Sequence, residues 1–278
     1  MRMLAHTLIA TLTNELTRYL HNLPFVSYRL SVRIENGLAR LRRKKIRFRV
    51  EKSGKVFATE GENELLVNDY IYGFWSYRNG IECRAETIFN SYGLSQISFS
   101  SSDVVFDCGA NSGDLFLRMS ELIDPSNYYA FEPSPSDFEV LKHNLAGRGR
   151  IHNLALGDRD SKMDFYVSIR GADSSLIPPR AWEERITVDV VRLDTFCQQN
   201  AVSSIKLLKV ETEGFEPEVL EGFGEMIRIC EYVAVDGGEE RGVDCAETIS
   251  DCTNLLLLKG FKMIGFYPQW TRALYIRV

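Results

Sequence analysis

The sequence predicts an α/β fold, a mostly parallel sheet with helices on both faces and an antiparallel last strand. Three observations carry that expectation. From residue 103 onward, short apolar runs alternate with helix-length amphipathic segments, the pattern of βα units. One such run, 104–107, ends in Asp107 and enters a turn containing Gly109 and Gly113; about twenty residues on, the run 128–131 ends in Glu132. Strand, glycine turn, helix, strand, acid is the layout of a nucleotide-type half-sheet. Finally, 261–267 and 273–278 are apolar runs joined at Pro268-Gln269, which read as a closing hairpin.

The elements follow in order. Leu4, Leu8, Leu12, Leu16 and Leu20 recur every fourth residue, a helix with one apolar face that ends before Pro24. Segments 46–50 and 55–59 read as a hairpin around Ser53-Gly54, 70–77 is aromatic-rich, and 82–92 is a helix closing on Gly93. Then come strand 104–107, helix 113–122, strand 128–132, and helix 135–146 with prolines suited to its start. Strand 151–156 is followed by an inserted hairpin, 162–169 with 185–192, around a loop at 170–182. Strand 205–210, helix 216–222, strand 231–236 and helix 244–259 complete the alternation. Two regions result: a helical, basic and β/α extension over 1–100, and an α/β domain over 101–278.

Composition narrows the class. Of 278 residues, 45% are hydrophobic and 26% charged, ordinary values for a globular protein. No run of eighteen apolar residues is present, so no transmembrane helix is expected. His6, Thr11, Asn14 and Glu15 interrupt any signal-peptide core. The six cysteines form no CxxC pair and the four histidines no ligand spacing, which predicts reduced thiols and no zinc centre. Residues 1–50 carry a net charge of +9 against −14 for the rest. Most of the excess lies between Arg40 and Arg49. That segment suits a solvated face or contact with anionic lipid, while the acidic remainder argues against nucleic acid. The apolar helix before it suits burial in the protein, a homodimer or a peripheral membrane contact. A cytoplasmic location is expected.

Open α/β sheets bind ligands at the carboxyl ends of their strands, where Asp107, Glu132 and the segment after Lys209 should converge. Gly109 and Gly113 let the backbone approach a ligand. Glu132 can accept both hydrogen bonds of a ribose diol. The spacing of the glycines departs from GxGxxG, which disfavours a pyrophosphate. Asp107 and Asn111 suit the amino acid head of S-adenosylmethionine better.

Asp107-Cys-Gly-Ala-Asn-Ser-Gly113, Phe131-Glu-Pro-Ser134 and Lys209-Val-Glu-Thr-Glu-Gly-Phe-Glu216, in this order and spacing, resemble the FkbM-type methyltransferases. Asn153-Leu-Ala155, Asp173-Ser-Ser-Leu176, Leu193-Asp194 and Pro217-Glu-Val-Leu-Glu-Gly222 add to the resemblance, which spans about 103–240. It implies a class I, Rossmann-like fold with a seven-stranded sheet and S-adenosyl-L-methionine as cofactor. It implies that Asp107, Gly109, Ala110, Asn111, Gly113 and Glu132 bind that cofactor, with Asn153 and Ala155 near the adenine. Many members have Asp where Glu211 stands. The stretch 235–242 resembles members that modify sugars or polysaccharides.

Methyl transfer to a hydroxyl needs positioning and a route for the departing proton. Lys209, Glu211 and Glu213 alternate to one side of their strand and are the expected catalytic group. Either Glu211 or Glu213 serves as base or acceptor-orienting group, with Lys209 as partner. No metal is expected; a divalent ion on Glu211, Glu213 and Asp236 is the lesser alternative. The resulting expectation is O-methylation of a sugar, glycan or related small molecule. The alternatives are a nucleotide-cofactor oxidoreductase on the same half-sheet and a non-catalytic methyltransferase-like binding domain.

Overall fold

A computed structural model describes residues 28–67, 70–168 and 173–278. The chain divides into two compact units, Met1–Arg84 and Ala85–Val278. The leucine stripe of residues 4–20 lies outside the described residues.

In the first unit, α1 (Tyr28–Leu41) buries Val32, Glu35 and Ala39, one stripe at helical spacing. The Asn36 side chain ties it to β1 (Arg47–Val50): Nδ2 donates to the Phe48 carbonyl at 2.8 Å and Oδ1 accepts from the Phe48 N–H at 2.7 Å. β1 pairs antiparallel with β2 (Val56–Glu60), the expected hairpin. A third strand, β3 (Asn63–Val67), follows a tight turn and was not foreseen. Part of the basic run is spent locally: Arg47 donates to the carbonyls of Lys44 and Ile46, and Arg49 pairs with Glu51 at 3.0 Å and Glu64 at 3.1 Å. The aromatic-rich segment is helix α2 (Tyr70–Tyr77), whose Phe74 meets Phe48 edge-on at 4.7 Å. α3 (Ile81–Ser91) carries the chain onward.

The second unit continues with β4 (Val105–Cys108), α4 (Asp114–Met119), β5 (Tyr128–Phe131), α5 (Pro135–Leu145), β6 (Arg150–His152) and β7 (Ala155–Leu156). Next are β8 (Ser161–Val167), β9 (Glu184–Val191), α6 (Leu193–Gln199), β10 (Ile205–Val210) and α7 (Glu216–Phe223). It closes with β11 (Cys230–Asp236), β12 (Glu239–Arg241), β13 (Ala246–Glu247), α8 (Ile249–Leu258), β14 (Phe261–Tyr267) and β15 (Arg272–Arg277). Seven strands form one sheet in the order β14-β15-β11-β10-β4-β5-β6. β15 runs antiparallel between β11 and β14; the pairs among β11, β10, β4, β5 and β6 are parallel. This is the expected class I architecture, with its order reversing beside β4, the position of a ligand crevice.

Three details differ from the sequence reading. The run 151–156 breaks in two, because Ala155 and Leu156 leave the main sheet and pair with β9 in a second sheet, β7-β9-β8. The helix expected from 244 begins at Ile249, after the short β12–β13 hairpin. Helix α6 had no counterpart, since its seven residues are too few for a periodic signal. Phe89, Tyr92, Leu94 and Ile97 pack in the core of the larger unit.

Period-two alternation sorts the main sheet onto two cores. Phe106, Cys108, Leu208, Val210, Val233 and Val235 face one; Val105, Leu207, Ala234 and Leu274 face the other. By the same parity Asp107, Lys209, Asp236 and Arg272 share the second face at its carboxyl edge. The register sets Lys209 opposite Asp107, and Asp236 opposite Arg272.

Gly222 on α7 rests against the loop after β7. A Cβ there would lie 1.9 Å from the carbonyl oxygen of Gly157. Gly222→Ala is therefore expected to destabilise the protein by about 1–3 kcal/mol through overpacking, read as a lower midpoint in urea denaturation.

Candidate active site

Five charged side chains of alternating sign form a chain at the carboxyl edge of the sheet. Lys209 Nζ lies 2.9 Å from Asp107 Oδ1 and 2.9 Å from Glu211 Oε2. Arg272 reaches Glu211 Oε1 with Nη2 at 2.7 Å and Asp236 Oδ2 with Nε at 2.6 Å. Asp107, Lys209, Asp236 and Arg272 are buried, while the Glu211 side chain keeps 26% exposure. Charges removed from water persist only when paired and hydrogen-bonded, and here each is. Tyr128 donates its hydroxyl to Asp107. Arg272 donates to the Ser91 hydroxyl and lies over the Tyr92 ring, Cζ 4.1 Å from its centroid. Lys209 also donates to the carbonyls of Gly109 at 2.8 Å and Cys108 at 3.4 Å.

This chain holds the glycine turn. Gly109 and Ala110 donate N–H groups to the Phe131 carbonyl, each at 3.0 Å. Gly109 has φ +77°, and a Cβ there would fall 1.8 Å from the Glu211 carbonyl oxygen. Its small size thus lets the turns after β4 and β10 meet. The missing side chain of Gly113 faces Leu145 and Leu141, so this residue lets the turn pack on α5. Both glycines were expected to let the backbone approach a ligand; the places their side chains would take are occupied by protein atoms.

Glu132 sits at the end of β5, buried. Its Oε2 accepts from the Asn111 N–H at 2.9 Å and its Oε1 from the Ser134 N–H at 2.9 Å. Two oriented donors fix the carboxyl and leave lone pairs for a diol, which fits a ribose. Asn111 Oδ1 accepts from Ser112 N–H, so its side chain braces the turn. Burial, and then the neighbouring Asp137, push the Glu132 carboxyl up to about 8. Exposed Asn153 donates to the carbonyls of Glu132 and Pro133, whereas Ala155 is buried in β7.

Past Val210 the strand ends, and the next turn separates the two acids expected to share one role. Burial disfavours the charge on Glu211, but Lys209 and Arg272 outweigh it and hold its carboxyl far below the usual range. Glu213 has φ +54°, which turns it away from the strand. Among the described residues it forms no ion pair. Burial raises its carboxyl well above the ordinary value, reinforced by Glu240, Glu211, Asp173 and Glu216. Glu240 is itself pushed up to about 8 by burial and by Asp236. Burial, with Glu211 beside it, pushes Asp236 up to about 7 against the pull of Arg272.

The turn is built by residues with no expected role. Buried Glu216 accepts from the N–H groups of Thr212 at 2.7 Å and Gly214 at 3.1 Å, and from the Thr248 hydroxyl at 2.8 Å. Arg241 donates to the Gly214 carbonyl and grips Glu218 with both Nη atoms. The Ser175 hydroxyl donates to the Glu213 carbonyl at 2.7 Å, which brings the loop before β9 to the site. Among the described residues no three His, Cys, Asp or Glu side chains are grouped to hold a metal ion; Glu211 and Asp236, two of the three ligands considered, both bind Arg272. Arg272 was missed. Its signal was positional: the first residue of an antiparallel strand falls at the carboxyl edge of its parallel neighbours.

A family model described as the methyltransferase FkbM domain matches residues 107–250. The chain is 22% identical over 184 residues to the 2-O-methyltransferase NoeI of Sinorhizobium fredii, covering 60% of this chain and 75% of that protein. It is 28% identical over 241 residues to the 31-O-demethyl-FK506 methyltransferase FkbM of Streptomyces tacrolimicus, covering 74% and 84%. It is 27% identical over 135 residues to the hexuronic acid methyltransferase AglP of Haloferax volcanii, covering 48% and 55%.

The expected role of Glu132 as ribose acceptor implies that its ionised form accepts better from the diol, so that protons compete with the cofactor. Affinity for S-adenosylhomocysteine is expected to fall below about pH 8, by at most about tenfold per unit. Asp137→Asn removes the repelling charge and should move that midpoint to lower pH. Isothermal titration calorimetry across pH checks both.

Proposed function

The chain belongs to the FkbM methyltransferase family, and we propose that it methylates a hydroxyl of a sugar or glycan-linked acceptor, with Glu213 as the proton acceptor. It is an S-adenosylmethionine-dependent methyltransferase. The cofactor supplies an electrophilic methyl on a sulfonium leaving group, so the protein's tasks are positioning, exclusion of water and removal of one proton.

Glu132 would receive the ribose, and the Asp107–Gly113 turn the rest of the cofactor. The observation that carries the base assignment is the unequal pairing of the two acids. Glu211 stands between two cations, and an acid held ionised so firmly is a weak base. Among the described residues Glu213 pairs with no cation and has four acidic neighbours, which gives its carboxylate a high proton affinity. A base of raised proton affinity is the better match to an alcohol whose proton leaves during transfer. Lys209 is occupied by Asp107, Glu211 and two carbonyls, so its work is to hold the two turns together.

The acceptor class is supported by relatives whose names specify O-methylation or a hexuronic acid. Segments 173–183 and 237–243 are the acceptor side of this reading: Ser175 bonds to the Glu213 turn, and Arg180 donates to the Val243 carbonyl at 2.7 Å. Among the described residues no helix is long and apolar enough to cross a membrane. All six cysteines are free thiols, which supports a reducing compartment, the cytoplasm in this reading.

Incubation with S-adenosylmethionine and a panel of glycans, read by mass spectrometry, tests the function: one added methyl on a hydroxyl is expected, and methyl transfer only to nitrogen or carbon would refute it. On the acceptor so found, Glu213→Gln should lower kcat at least about 100-fold while cofactor affinity changes less than about twofold; equal losses would remove Glu213 as base. Because Glu213 must shed its proton to act, activity should rise with pH through an acid limb. Glu240→Gln removes an acid that competes with Glu213 for ionisation, and the limb in kcat/KM should move to lower pH.

A further inference from the structure

Arg272 lies on β15, beyond the segment that the family model matches. Each nitrogen of its guanidinium has a partner: Nε on Asp236, Nη2 on Glu211, Nη1 on Ser91, with its face over Tyr92. A planar fork that reaches two carboxylates and a hydroxyl from three separate nitrogens fixes their directions in a way the single ammonium of a lysine does not. Its partner Glu211 holds Lys209, and Lys209 holds the carbonyls of Cys108 and Gly109. Four strands, β15, β11, β10 and β4, are thus joined by side chains at one edge.

We propose that Arg272 is a positioning residue for the cofactor turn: it fixes Glu211 against Lys209, and Lys209 in turn fixes the backbone of Cys108 and Gly109. The proposal rests on the reading of that turn as the S-adenosylmethionine site. It predicts a specific failure when the cation is removed. Glu211 and Asp236 would then face each other with no cation between them. Like charges so placed cannot both stay ionised near neutrality and take up one proton. A Glu211 that shares a proton pulls less on Lys209, and the carbonyls of the turn lose their anchor. The other groups around Glu211 do not replace the cation: Lys209 is already paired, Glu213 and Glu240 are acids, and Tyr92 adds a phenol whose ionisation burial opposes.

The test is calorimetric binding of S-adenosylhomocysteine from about pH 6 to pH 9, expressed at each pH as the ratio of variant to wild-type affinity. The share of Glu132 is common to both and cancels. Arg272→Gln should bind about tenfold more weakly than wild type at the acid end, with the ratio returning toward one as pH rises and the Glu211–Asp236 pair ionises. Adding Asp236→Asn removes the competing acid, so the pH dependence of the ratio should vanish. Arg272→Lys keeps the charge and should lower affinity by a factor that does not depend on pH, which preserves the test if the glutamine variant does not fold. A ratio independent of pH for Arg272→Gln, or no rescue by Asp236→Asn, overturns the role of Arg272. A wild-type protein that binds no S-adenosylhomocysteine would instead overturn the cofactor-site reading.

Discussion

The site depends on one constraint: five charges of alternating sign have been taken out of water together. No pair in Asp107–Lys209–Glu211–Arg272–Asp236 can be removed alone, because each interior member satisfies two neighbours. Breaking a buried pair by deleting one partner typically costs about 3–5 kcal/mol, far more than a surface pair is worth. Nothing suggests that the chain makes the fold more stable than an apolar edge would. What it supplies is fixed geometry: the turns after β4 and β10, strands adjacent in the sheet but far apart in sequence, are locked at hydrogen-bond distances.

The same chain divides labour between chemically similar groups. Glu211 and Glu213 are two residues apart, yet cations surround one and acids the other. Their proton affinities separate for that reason, the usual way a site obtains an ion and a base from the same residue type. The left-handed turn at Glu213 and the buried Glu216 beneath it are the means. A straight strand would have kept both acids on the Lys209 side.

Much of this was legible before the structure. The βα alternation carried the fold, and strand ends located Asp107, Glu132 and Lys209, because parity and strand direction are local properties of the chain. The strand at 151–156 misled, because a sheet change leaves no mark in hydrophobicity. Gly109 and Gly113 were placed in the correct turn for an incomplete reason. A glycine shows that something comes close, not whether that something is a ligand or the Glu211 carbonyl. Arg272 and Ser91 were silent because they lie 181 residues apart; no pattern within a window relates them.

That separation bears on how the protein reaches its native state. Contacts between residues far apart in sequence must close large loops before they return any energy, and chains rich in them fold slowly. β15 enters the sheet between β11 and β14, so the strand that completes the charge chain is also the last of the described strands to leave the ribosome. Until it inserts, Glu211 and Asp236 lack their shared cation while β11 presents an unpaired edge, the kind of surface on which partly folded chains associate. Synthesis therefore passes through a stage in which the half-sheet around β4 is assembled in sequence but electrostatically unfinished, and the seam closes when β15, the last of the described strands, is added.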